Sequence, residues 1–136
     1  IDNLKELEEK YDVLPAINQV EFHPYHYQKE LLEYCNSKNI IIEAYSPLVH
    51  AKRMDEPRLM AISDELGKTP AQVLIRWAIQ RGMVVLPKSV NQDRIVENFA
   101  VFNFDISNSL MERLDDLDER YVTCWDPHNP PPYAPV

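Results

Sequence analysis

The stretch Ile40-Ile41-Ile42-Glu43-Ala44 constrains this chain more than any other segment. A β-branched run of this kind fits a buried strand of a parallel sheet, because branched side chains pack well on a pleated surface. A parallel strand has no tight turn to its neighbour, so helical crossovers must flank it. The neighbouring sequence has the patterns for them. Upstream, Ile17 to Phe22 alternates like a strand, and residues 28–38 carry Leu31, Leu32 and Cys35 on one helical side. Downstream, a loop from Ser46 to Pro57 leads to a helix expected over 58–66, with Gly67 just past its end. Thr69-Pro70 restarts the helix as N-cap and first helical residue, and Val73, Leu74, Trp77 and Ala78 point inward until Gly82. Met83 to Leu86 reads as a third short strand. Asn91 or Gln92 opens a helix through Phe99, and Ser107 caps another through Asp118. At the start, residues 2–10 place Leu4 and Leu7 on one helical face among charges. From Tyr121 onward, prolines and aromatics imply an irregular segment laid on the surface. Strands separated by helices, without hairpin signals, define an α/β chain with a parallel sheet. Such strands fit a doubly wound sheet or an arc of a (β/α)8 barrel, and periodicity does not choose between them.

Composition narrows the function. Gly67 and Gly82 are the only glycines, so neither a Gly-rich dinucleotide loop nor a P-loop can be built here. Any bound phosphate must be gripped by side chains and ordinary backbone amides. The 14 basic and 22 acidic residues leave a net charge of -8, which excludes nucleic acid as the expected partner. No apolar run approaches the roughly 20 residues that span a bilayer, so no membrane partner is expected. Cys35 and Cys124 lack metal-ligand spacing, which gives no metal site and reduced thiols in a cytoplasmic setting. Ile1 already sits inside an amphipathic pattern with Leu4, Leu7 and Tyr11, so the chain reads as part of something longer.

Ligands of α/β folds bind at the carboxyl ends of strands. After the third strand come Pro87-Lys88-Ser89-Val90-Asn91-Gln92-Asp93-Arg94-Ile95-Val96-Glu97-Asn98. Lys88 and Ser89 fall at the strand tip, with Arg94, Glu97 and Asn98 on the following helix. Two cations, a hydroxyl and a helix N-terminus then face one small volume, which suits a phosphate monoester. The competing reading pairs Arg94 with Glu97 or Asp93 on a solvated face and leaves Lys88 merely exposed. Spacing leaves both open.

Read with its flanks, this segment resembles the cofactor signature of the aldo-keto reductases. Ile17-Asn18-Gln19-Val20-Glu21-Phe22-His23-Pro24-Tyr25 is similar to that family's sixth barrel strand, Ala44-Tyr45-Ser46-Pro47-Leu48 to the end of the seventh, and Gly67 to Trp77 to its seventh helix. The resemblance covers nearly the whole chain, from the family's fifth helix to its C-terminal loop. It implies that residues 1–136 are the C-terminal part of a (β/α)8 barrel, with 119–136 as the C-terminal loop. It also implies NADP(H) as cofactor. Lys88, Ser89 and Arg94 would hold the adenosine 2′-phosphate, with Val90 in the same loop, and Glu97 and Asn98 would contact the adenine. Ser46, Pro47 and Leu48 would line the pyrophosphate path, Tyr45 would stack on the nicotinamide, and Gln19 would bond its carboxamide. The implied reaction is NADPH-dependent reduction of a small aldehyde or ketone.

The family's catalytic tyrosine, lysine, aspartate and histidine lie on its first four strands, so no catalytic residue is assigned here and the N-terminal half of the barrel would be needed. The alternatives are a nucleotide-binding relative without turnover and an inactive truncated fragment. Trp125 falls where the family's C-terminal loop borders the substrate pocket, with simple aromatic packing as the other reading. His23 reads as a loop residue fixing the strand exit, and Trp77 as core. The chain departs from the family at Val49-His50, where many members have Gly-Ser, and His50 takes no role from the resemblance. Three strands of a barrel would leave Ile17 and Val84 without partners on their inward side, which implies a chain that seeks association.

Overall fold

A computed structural model describes residues 1–11 and 13–124. Helix α1 (Asp2–Tyr11) precedes strand β1 (Ile17–Glu21), helix α2 (Lys29–Ser37) and strand β2 (Ile41–Tyr45). A single turn at Val49–Ala51 leads to α3 (Pro57–Leu66) and α4 (Pro70–Gln80). Strand β3 (Val84–Leu86), α5 (Gln92–Phe99) and α6 (Asn108–Asp115) complete the order. The three strands form one parallel sheet ordered β1-β2-β3, with Gln19 opposite Glu43, Glu21 opposite Tyr45, and Tyr45 opposite Leu86.

That register sorts the side chains into two faces. Ile42 and Ala44 are buried and lie toward the helices, where they join a core built around Phe22, Leu31, Cys35, Leu59, Leu74 and Trp77. Trp77 is fully buried. Its ring packs edge-on to Tyr27 at 5.3 Å, and its indole N–H donates to Asp115 Oδ1 at 2.8 Å. The opposite face carries Ile17, Gln19 and Glu21 beside Ile41, Glu43 and Tyr45 and then Val84 and Leu86. It is open: Ile17 is 49% exposed and Val84 44%.

Local chemistry explains the element ends. Gly67 closes α3 in the left-handed region at φ 60°. Thr69 and Gln72 form a reciprocal capping box at the start of α4, and Asn91 caps α5 by accepting from the Arg94 amide at 3.1 Å. Two expectations need correction. Helix α6 stops at Asp115 rather than Asp118. Leu117 is still buried, so the apolar spacing continues through turn residues, while Asp118 accepts from the Tyr27 and Arg120 amides and steers the chain away. In α1, Leu4 is buried but Leu7 is 40% exposed, so the two do not share one covered face.

The loop after β2 holds the least expected backbone. Ser46, Val49, His50 and Ala51 all have positive φ, between 50° and 60°. Left-handed backbone costs an L-residue about 1–2 kcal/mol, and a β-branched Val there is a clear outlier. Complete burial of Val49 and the bonds from Ala51 and Lys52 amides back to Leu48 and Val49 carbonyls hold the turn.

Candidate functional site

The tips of β2 and β3 and the first turns of α5 enclose the site. Ser89 bends the chain after β3: its hydroxyl accepts from the Asn91 amide at 3.1 Å and donates to the Asn91 carbonyl at 3.3 Å. This bend sets Lys88 and Ser89 beside the N-terminus of α5. Leu48, His50, Met54, Thr69, Lys88, Ser89, Arg94, Glu97 and Asn98 line one cleft of about 440 Å³. Ser46, Pro47, Leu48, His50, Leu86 and Lys88 line a second, of about 310 Å³. Leu48, His50 and Lys88 belong to both, so the two clefts form one path along the strand tips.

Among the described residues, neither Lys88 nor Arg94 forms an ion pair. Arg94 is thus paired with neither Glu97 nor Asp93, while both cations are exposed, as the competing reading had it. Glu97 is engaged elsewhere: Thr69 Oγ1 donates to its Oε1 at 2.7 Å, and Gln72 Nε2 donates to its backbone carbonyl at 3.3 Å. Asn98 is buried on the same helix. Two cations without an ion-pair partner and a hydroxyl thus line one cleft beside a helix N-terminus, groups whose chemistry favours an anion.

Other expected residues stand apart. Val90 is 86% exposed and lines neither of the two clefts. Gln19 and Tyr45 project from the open sheet face, where the Gln19 amide Nε2 donates to the Glu43 carboxylate. Burial raises the Tyr45 phenol above its ordinary pKa, so it stays protonated. Trp125 lies outside the described residues. Glu43 and Thr69 entered none of the sequence reasoning about the site, and His50 entered it only as a departure from the family pattern without a role. Thr69 was legible as a cap, but nothing local in sequence signals a bond to a side chain on another helix.

Glu21 and His23 form a buried polar cluster at the end of β1. The Glu21 carboxylate accepts from the Thr123 amide at 2.7 Å, the Thr123 hydroxyl, the Cys124 amide at 3.1 Å and His23 Nε2 at 3.1 Å. Burial alone would raise its pKa, yet these donors together hold it below the ordinary value. Burial lowers the pKa of His23, which keeps the ring neutral. Its Nε2 carries the proton given to Glu21, so Nδ1 is a bare acceptor, and it has no partner. His23 thus fixes the strand exit. No group of three or more His, Cys, Asp or Glu side chains among the described residues is arranged to hold a metal ion, and no described helix is long and apolar enough to cross a membrane.

Known proteins resemble this chain in sequence and fold. Residues 1–119 match the model of the aldo/keto reductase family. Over 115 residues the chain is 45% identical to an uncharacterized oxidoreductase of Schizosaccharomyces pombe, covering 85% of this chain and 42% of that protein. Over 122 residues it is 42% identical to the glyoxal reductase of Bacillus subtilis, covering 88% of this chain and 44% of that one. A crystal structure of a Gox0644 mutant in complex with NADPH superposes with a TM-score of 0.82 at 35% identity, over 88% of this chain and 44% of that one. The chain thus spans less than half the length of these relatives. NADP(H) is the cofactor of the family they represent. With a family match over residues 1–119 and relatives above 40% identity, this chain belongs to the aldo/keto reductase family.

Proposed function

We infer that the protein carrying this chain reduces small aldehydes or ketones with NADPH, and that this chain supplies most of the cofactor-binding surface. The carrying observation is the pair of unneutralised cations, Lys88 and Arg94, on one cleft with Ser89 at the N-terminus of α5. That cleft fits the ribose 2′-phosphate that distinguishes NADPH from NADH. Glu97, oriented by Thr69, and Asn98 would meet the adenine, and Ser46, Pro47 and Leu48, which line the next cleft, would face the pyrophosphate. Tyr45 would form the stacking platform and Gln19 would meet the carboxamide, both on the open sheet face.

When bound, the nicotinamide supplies a hydride to the carbonyl carbon. The residues of this chain bind and orient; none of them donates the proton to the carbonyl oxygen. That proton and the cover for the sheet's open face belong to the N-terminal half of a (β/α)8 barrel, with residues 1–136 as its C-terminal part and 119–136 as the C-terminal loop. A cytoplasmic setting goes with this reading. Binding without turnover is the second reading, since none of the residues assigned to the cofactor on the two clefts acts on a carbonyl substrate.

Arg94→Ala tests the assignment in a protein that includes the rest of the barrel. Loss of one charge-assisted contact should weaken NADPH by about 1.5–3 kcal/mol and leave NADH almost unchanged. Fluorescence titration with both cofactors reads this directly, and equal losses would overturn the role given to Arg94.

A further inference from the structure

Three side chains distant in sequence meet at the tip of β2. Ser46 Oγ lies 3.0 Å from His50 Nε2 and 3.2 Å from Cys124 Sγ, and the thiol is 3.5 Å from the same Nε2. The arrangement is fixed from both sides. Fully buried Val49 anchors the left-handed turn that carries His50, and Glu21 holds the Cys124 amide at 3.1 Å. His50 is exposed and Cys124 half-buried, so a reagent can approach. A thiol whose proton can reach an imidazole nitrogen, directly or across a bridging hydroxyl, has the elements of an activated nucleophile. The second cleft begins at Ser46 and His50 and continues along Pro47, Leu48 and Leu86, so a molecule seated there lies against apolar walls.

We propose that Cys124 is a nucleophilic thiol, with His50 as its base and the Ser46 hydroxyl bridging the two, that captures apolar α,β-unsaturated carbonyl compounds covalently. His50 Nε2 takes the thiol proton, directly or through the Ser46 hydroxyl. The sulfur then bonds to the β-carbon, the C=C π pair moves toward the carbonyl, and the imidazolium returns its proton to the α-carbon. The net change is addition across the double bond, so no oxidant or reductant is required. The inference does not depend on the nucleotide reading, although an adduct here would sit on the same cleft.

The chain contains its own control. Cys35, the other cysteine, is fully buried, and burial raises its thiol pKa, so it is a poor nucleophile. The full chain is treated at pH 7 with N-ethylmaleimide, an α,β-unsaturated imide, and each site is followed by peptide mass spectrometry. Cys124 should react about tenfold faster than Cys35, and about tenfold faster than in a free peptide of residues 119–127. His50→Gln, which keeps a polar side chain but not the base, should remove most of that advantage. A Cys124 rate no greater than the peptide's would overturn the proposal, and so would an unchanged rate in a folded His50→Gln chain. Should that variant fail to fold, the comparison between wild type and peptide decides alone.

Discussion

Glu21 gathers more polar contacts than any other buried side chain at the site, and its carboxylate ties Thr123 and Cys124 to the end of β1. Its carboxylate takes two donors from Thr123, one from Cys124 and one from His23. The first influence on its pKa is burial, which raises it, but the donors outweigh this and the folded value lies below the ordinary 4.5. A carboxyl depressed in the folded state contributes stability that is fully present above its unfolded value. As the pH falls through that value and on through the folded one, the unfolded chain takes up its proton first and the contribution is lost. The attachment of residues 121–124 should therefore hold at neutral pH and loosen below the ordinary carboxylate range. Glu21→Gln should reproduce the loosening at pH 7, because an amide accepts fewer of these bonds and supplies no charge. Hydrogen exchange at the Thr123 and Cys124 amides should accelerate by about tenfold or more in that variant. Unchanged protection would show that other contacts, such as the Glu119 and Tyr121 amides on the Tyr25 carbonyl, hold the segment without it.

At the scale of elements, the site depends on how α4 and α5 are tied together. Thr69 accepts from the Gln72 amide as an N-cap and spends its single hydroxyl proton on Glu97. Gln72 returns a bond to Thr69 and reaches the Glu97 and Ala100 carbonyls with its amide nitrogen. One capping box thus orients the helix that carries Arg94, Glu97 and Asn98. Thr69→Ala should cost about 0.5–2 kcal/mol of stability through the lost cap. It should also weaken adenine nucleotides, whereas Thr69→Ser should keep both properties. Urea melts and nucleotide titrations on the same variants separate the two effects. The cap itself was legible from Thr69-Pro70, as were a parallel strand at Ile40–Ala44 and the inward face of α4, because each rests on neighbours in sequence. The strand runs Ile41–Tyr45 and is buried on one face only, with Ile41 48% exposed on the other. The convergence of Lys88 with Arg94 was legible as one of two options, and only the third dimension shows that Glu97 is occupied by Thr69. The left-handed turn at Val49–Ala51 was not legible. Val, His and Ala have no intrinsic preference for positive φ, and burial of Val49 against distant residues imposes it.

For the molecule as a whole, the asymmetry of the sheet sets the behaviour. One face is covered by helices. The other presents Ile17, Ile41, Val84 and Leu86 to solvent, each more than 40% exposed. Helix α5 adds Ile95, Val96 and Phe99, and Phe99 stacks edge-on with the exposed Phe102 at 5.8 Å. Among the described strands β1 and β3 each pair on one side only, which leaves both outer edges with free backbone donors and acceptors. Apolar surface of this extent beside open edges is normally found only where another surface covers it. Residues 1–136 expressed by themselves should therefore self-associate at micromolar concentration and bind a hydrophobic dye. The net charge of -8 opposes that association, so added salt should strengthen it by screening the repulsion. Sedimentation velocity across a concentration series provides the check. A monomer that melts cooperatively at every concentration would mean that this face is stable in water and needs no covering surface.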